Sequence, residues 1–125
     1  MNELVKIFEL HSAIVLVYHF GSQVNGTAIQ LSDCDFAVYM NIKNINEDYQ
    51  VKFQLESQIS RLFVTDKIDI VILNYLDKPE LAYNIIKQGK LIYEKEPYRV
   101  LVEPVILNKY FDFRSHLLKH NLVRA

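Results

Sequence analysis

The chain has 125 residues, half of them apolar and 23% charged, with a formal net charge of −1. That supports one compact domain over residues 1–125 with a hydrophobic core, and is too short for two. The balance lacks the basic excess of a protein that grips a nucleic-acid backbone, so no direct nucleic-acid partner is expected.

Residues 2–11 can form a short helix, with Leu4, Ile7, Phe8 and His11 toward one side. Ala13 to Phe20, AIVLVYHF, is an almost unbroken apolar run rich in β-branched and aromatic residues and reads as a strand buried on both faces. Gly21-Ser22 ends it and opens a turn or short helix. Cys34 to Met40 reads as a second strand. Residues 44–63 read as a helix: Asn44 and Glu47 fit a capping box, and Val51, Leu55, Ile59, Leu62 and Phe63 form an apolar stripe. Lys67 to Leu73 is a third strand. Asp77 with Glu80 suggests a second capping box, Pro79 a first turn and Gly89 a stop, giving a helix over 78–88. Leu91 to Tyr93 can add a short edge strand. Residues 97–121 form a C-terminal helical segment, which Pro104 must either start or kink. This order predicts an α/β (α+β) fold, a small mixed β-sheet backed by helices. Cys34 is the only cysteine, so no intramolecular disulfide can form. The charged N-terminus lacks a signal-peptide core and no apolar run is long enough to span a membrane, which makes the cytoplasm the expected location and a membrane partner unexpected.

Two features do not fit a plain core. Asp33 and Asp35 stand one residue apart at the start of the second strand, where side chains two apart share a face. Adjacent carboxylates repel, and burying either one unpaired is costly. A divalent cation resolves that conflict, and Mg²⁺ commonly takes one or two carboxylates together with substrate phosphate oxygens. Asp69 lies inside the third apolar run and, if the third strand adjoins the second, would complete a three-carboxylate cluster. Gly21-Ser22 supplies backbone N–H groups, a hydroxyl and no obstructing side chain at Gly21, which suits phosphate.

Gly21-Ser22, ten intervening residues, then Asp33-Cys34-Asp35 resembles the GSX10DXD pattern of the polymerase-β-like nucleotidyltransferases. The surrounding GSQVNGTAIQLSDCDFAVY is similar to the minimal MNT members, KIDIVILN to the strand bearing that family's third carboxylate, and LAYNIIKQGKLIYE with NKYFDFRSHL to the tail of MntA-like antitoxins. The resemblance implies a minimal nucleotidyltransferase fold and a hetero-oligomer with a HEPN-family RNase toxin, silenced by transfer of AMP from ATP to a toxin tyrosine. It implies two Mg²⁺ ions held by Asp33, Asp35 and Asp69, nucleotide phosphates at Gly21 and Ser22, and Asp69 placed to take the acceptor proton. Asn25 stands where the family's loop often carries Arg, leaving part of the triphosphate's counter-charge to other Lys or Arg side chains. A non-catalytic antitoxin that acts by binding, and a small-molecule nucleotidyltransferase, are the alternative functions.

Other residues have plainer readings. His116 and His120 share a helix face at zinc-binding spacing without an evident third ligand, and read as an exposed face. His19 reads as a packed strand-end residue beside the loop. Cys34 reads as core rather than nucleophile. Tyr110, Phe111 and Phe113 carry more aromatic surface than one packing stripe needs, so they serve either the core or a partner.

Overall fold

The computed structural model describes residues 2–20, 34–41 and 44–120. Along the chain lie α1 (Asn2–Glu9), β1 (Ile14–Phe20), β2 (Cys34–Met40), α2 (Ile45–Phe63), β3 (Ile68–Ile72), a 3-10 turn (Leu73–Tyr75), α3 (Pro79–Gln88), β4 (Lys90–Glu94) and α4 (Tyr98–Lys119). The expected turn or helix after Gly21 lies outside the described residues. The strands form one sheet in the order β3-β2-β1-β4. β1 pairs antiparallel with β2 and β4, whereas β2 and β3 are parallel. The parallel pair follows from the connection: α2 is long enough to carry the chain back to the end of the sheet where β2 began. The mixed sheet backed by helices is thus the observed architecture.

Helices cover both faces. On one, Phe36, Val38, Met40, Ile70, Ile72 and Val17 pack with Leu4 and Phe8 of α1 and Leu55 and Ile59 of α2. On the other, Ala37, Tyr18, Leu16 and Val15 pack with Ala82 and Ile85 of α3 and Val102 and Ile106 of α4. β1 lies inside the sheet, which explains its unbroken apolar sequence. Its pairing with β2 shifts register between Ile14 and Leu16, so strict alternation fails there and Val15 and Leu16 join the same cluster.

The helix ends show which local signals win. Asn44 caps α2 as expected, its side-chain oxygen accepting from the Glu47 N–H at 2.8 Å. The box at Asp77 does not form: the N-cap of α3 is Lys78, with no side-chain cap bond. Pro79 takes the first helical position, where its fixed φ fits, and it forces the preceding residue into extended backbone. Lys78 accordingly has φ −110° and ψ 98°, and Asp77 falls one position too early. α2 ends on Val64 in left-handed backbone, φ 53° and ψ 51°. A β-branched residue is strained there, and Val64 is 84% exposed, so its side chain contributes little burial in return. Val64→Gly should therefore raise stability by about 1 kcal/mol, lifting the thermal midpoint by roughly 4 °C. A calorimetric midpoint unchanged or lowered would refute that.

Pro104 sits inside α4 rather than at its start. Beyond Ile72, the carboxamide of Asn74 continues the pairing of β2 and β3. Its Oδ1 accepts from the Met40 N–H and its Nδ2 donates to the Met40 carbonyl, both at 2.8 Å. The side chain thereby imitates a strand and closes the far end of the parallel pair.

Candidate functional site

Cα pairing places Phe20, Asp35 and Asp69 in one row across β1, β2 and β3. The row lies where β1 ends and where β2 and β3 begin. Register partners on neighbouring strands project to the same face. Phe36 and Ile70, the next residues along, belong to the α1/α2 cluster. Asp35 and Asp69 therefore project from the opposite face, with Ala37. Asp35 is half-buried and Asp69 exposed. Gly21, Ser22, Asn25 and Asp33 lie outside the described residues. In sequence, Gly21 directly follows Phe20 and Asp33 directly precedes Cys34, the two described chain ends at this row.

Two carboxylates side by side at a strand end offer hard oxygen donors on a face open to solvent at Asp69. This is the donor chemistry that Mg²⁺ takes. Among the described residues, no group of three or more His, Cys, Asp or Glu is placed to hold a metal.

The surroundings are fixed by packing. The His19 ring stacks on Phe36 at 5.1 Å and 24°, so it belongs to the α1/α2 face rather than to the face of Asp35. Among the described residues its buried Nε2 has no hydrogen-bond partner. Burial, and then the charge of Lys90, its register partner, hold its protonation below the ordinary histidine range. Gly89 makes that approach possible. A methyl there would stand 2.3 Å from the Ile85 carbonyl oxygen and 3.2 Å from that of His19. Gly89→Ala should cost about 1–3 kcal/mol through this overpacking, read as a lower urea midpoint with an unchanged slope. An unshifted midpoint would show that the turn yields freely.

On the Asp35 face, Tyr18 donates to Glu103 Oε2 at 2.5 Å, and the same oxygen accepts from Arg99 Nε at 3.3 Å. Burial, then the hydrogen bond to Glu103, hold the Tyr18 phenol well above its ordinary range, so it remains a donor and locks α4 onto β1. At the far end of the sheet the buried Asp48 accepts from Tyr75, whose phenol is pushed up to about 12, first by that hydrogen bond and then by burial. Neither pair was visible in the sequence, because each joins residues far apart in the chain. His116 and His120 are both exposed, their rings 4.4 Å apart. Within the aromatic cluster, Tyr110 stacks on Tyr83 at 4.0 Å, while Phe111 is 52% exposed.

The model of the polymerase beta nucleotidyltransferase family matches residues 2–98. The chain belongs to that family. No curated protein sequence matches it. Among solved structures, a toxin–antitoxin complex with AMP-PNP contains a chain 21% identical, with a TM-score of 0.77 and coverage of 94% of this chain and 92% of that one. A tri-AMPylated HEPN toxin in complex with MNT antitoxin, from Shewanella oneidensis, gives 18% identity, a TM-score of 0.71 and coverage of 94% and 89%. An MntA–HepT toxin–antitoxin complex gives 19%, 0.70, and 94% and 90%. At these identities the likeness is one of fold, and its coverage reaches into α4, beyond the family match. For this nucleotidyltransferase, no helix among the described residues is long and apolar enough to cross a membrane.

Proposed function

We propose that this nucleotidyltransferase is an antitoxin that neutralises a HEPN-family RNase toxin by Mg²⁺-dependent transfer of AMP from ATP to a toxin tyrosine. The observation that carries the reading is the register of Asp35 with Asp69: two of the three candidate carboxylates share one face and one strand end. The fold shared with chains from toxin–antitoxin complexes supports the choice of acceptor, since one such complex holds an AMPylated toxin.

In this reading Asp33, Asp35 and Asp69 would hold the metal, and the backbone N–H of Gly21 and the Ser22 hydroxyl would hold the β- and γ-phosphates. A bound ion would offset phosphate charge and lower the pKa of the acceptor hydroxyl. Asp69, exposed at the mouth, takes the proton from the acceptor phenol, whose pKa is about 10 when free. The phenolate oxygen bonds to the α-phosphorus as the bond to the β-phosphate bridging oxygen breaks, and pyrophosphate leaves. The protein's part is positioning and charge neutralisation.

The test is purified protein with α-labelled ATP, Mg²⁺ and the toxin encoded beside it. Label is expected on a toxin tyrosine, located by mass spectrometry, with loss of toxin RNase activity. Neutralisation without label would assign a binding-only antitoxin, for which the loss of a loop cation at Asn25 is the sequence observation in favour.

A further inference from the structure

His116 and His120 stand one turn apart near the end of α4 and share a helix face. Both are exposed, and their ring centres lie 4.4 Å apart with a tilt of 56°. The His120 N–H donates to the His116 carbonyl at 3.2 Å, so the backbone carrying the two rings is a closed helical turn. Among the described residues, no third His, Cys, Asp or Glu joins the pair. Imidazole nitrogen is a donor that Zn²⁺, Ni²⁺ and Cu²⁺ favour, whereas Mg²⁺ favours oxygen. A tetrahedral ion with bonds of about 2.1 Å needs two nitrogens roughly 3.4 Å apart. Rings already 4.4 Å apart between centres reach that spacing by rotating their side chains, with no movement of the turn. Two histidines four residues apart on one helix face form such a chelate in zinc proteins.

The place of the pair separates it from the acid row. Phe113, three residues before His116, lines a recess with Asp77 and Pro79 at the start of α3. α3 runs from there to Gly89, and the next residue, Lys90, pairs with His19 beside the row. The histidines thus lie toward the end of α3 that is far from Asp35 and Asp69. We propose that His116 and His120 chelate one divalent transition ion per chain, of the imidazole-preferring class that includes Zn²⁺, with water in the remaining positions. Two protein ligands leave the site open and its ion exchangeable, unlike a closed four-ligand structural site. The ion ties the capping residue of α4 to the turn before it, so binding adds to the stability of that end of the helix. The pair shares no residue with the antitoxin reading's site and stands or falls apart from it.

Calorimetric titration of the untagged chain with Zn²⁺, in excess Mg²⁺ to occupy oxygen donors, tests it, with imidazole NMR signals followed in parallel. One Zn²⁺ per chain should bind, and the His116 and His120 signals should shift while those of His11 and His19 stay in place. His116→Ala and, separately, His120→Ala should each weaken this binding at least about 10-fold. Alanine suits an exposed helix position, so both variants should keep the wild-type circular dichroism spectrum. Amide exchange in the last turn of α4 should slow with Zn²⁺ in the wild type and not in the variants. Absence of Zn²⁺ binding, or binding that survives undiminished in both variants, would overturn the proposal. So would a Zn²⁺-dependent dimer with one ion per two chains, in which a second copy fills the positions assigned to water.

Discussion

Asp35→Asn should reduce AMP transfer to the toxin by at least about 1,000-fold, the scale on which losing one preorganised electrostatic element at a reacting centre acts. The amide keeps the shape of the carboxylate but loses its charge, and with it the ability to offset phosphate charge beside a cation. The position makes the result interpretable. Asp35 is in the interior of the ladder, paired with Phe20 on one side and Asp69 on the other, and the substitution leaves every backbone hydrogen bond of β2 in place. The thermal midpoint should therefore move little. Asp66→Asn is the control: this exposed acid precedes β3 but belongs neither to the row nor to the sequence motif, and its variant should label the toxin as well as wild type. Equal labelling by Asp35→Asn would refute the carboxylate mechanism.

What the sequence shows of this site, and what it hides, follows from the range of the interactions. Periodicity located β1, β2 and α2 closely, because a strand buried on both faces and a one-sided helix leave their pattern in adjacent residues. Strand order leaves no such trace. That Asp69 sits beside Asp35 depends on α2 returning the chain to run parallel to β2. Asn74 is the clearest loss. In the sequence it is one polar residue after an apolar run, yet it forms both of its hydrogen bonds with Met40, 34 residues earlier. At α3 two local rules competed, and the backbone restriction imposed by Pro79 moved the start past the residue that would have capped it. Three of the five candidate residues, Gly21, Ser22 and Asp33, lie outside the described residues, so their reading rests on the motif. The other two, Asp35 and Asp69, rest on register as well.

Phe8→Ala should cost about 3–5 kcal/mol, lowering the thermal midpoint by roughly 15 °C. Phe8 is fully buried, and its ring meets Phe36 at 6.3 Å and 67° and Tyr93 at 5.8 Å and 46°. Removing it leaves a cavity walled by β2, β4 and α2, whose side chains are held by their own packing and cannot all close in. Among the described residues α1 has few other anchors: Leu4 is also buried, Ile7 packs half-buried against the same cluster, and His11 beyond its end meets Gln58 of α2 at 2.8 Å. Much of the loss should therefore appear as detachment of α1, with earlier amide exchange in that helix than in β1 or β2. The cavity opens behind Phe36, on the face opposite Asp35. Alternation along β2 thus separates the two roles of neighbouring residues: at temperatures where the variant remains folded, AMP transfer should persist although stability has dropped. Transfer lost in proportion to Asp35→Asn, in a chain still folded, would mean that the two faces of β2 are not independent and that α1 helps hold the carboxylate row in place.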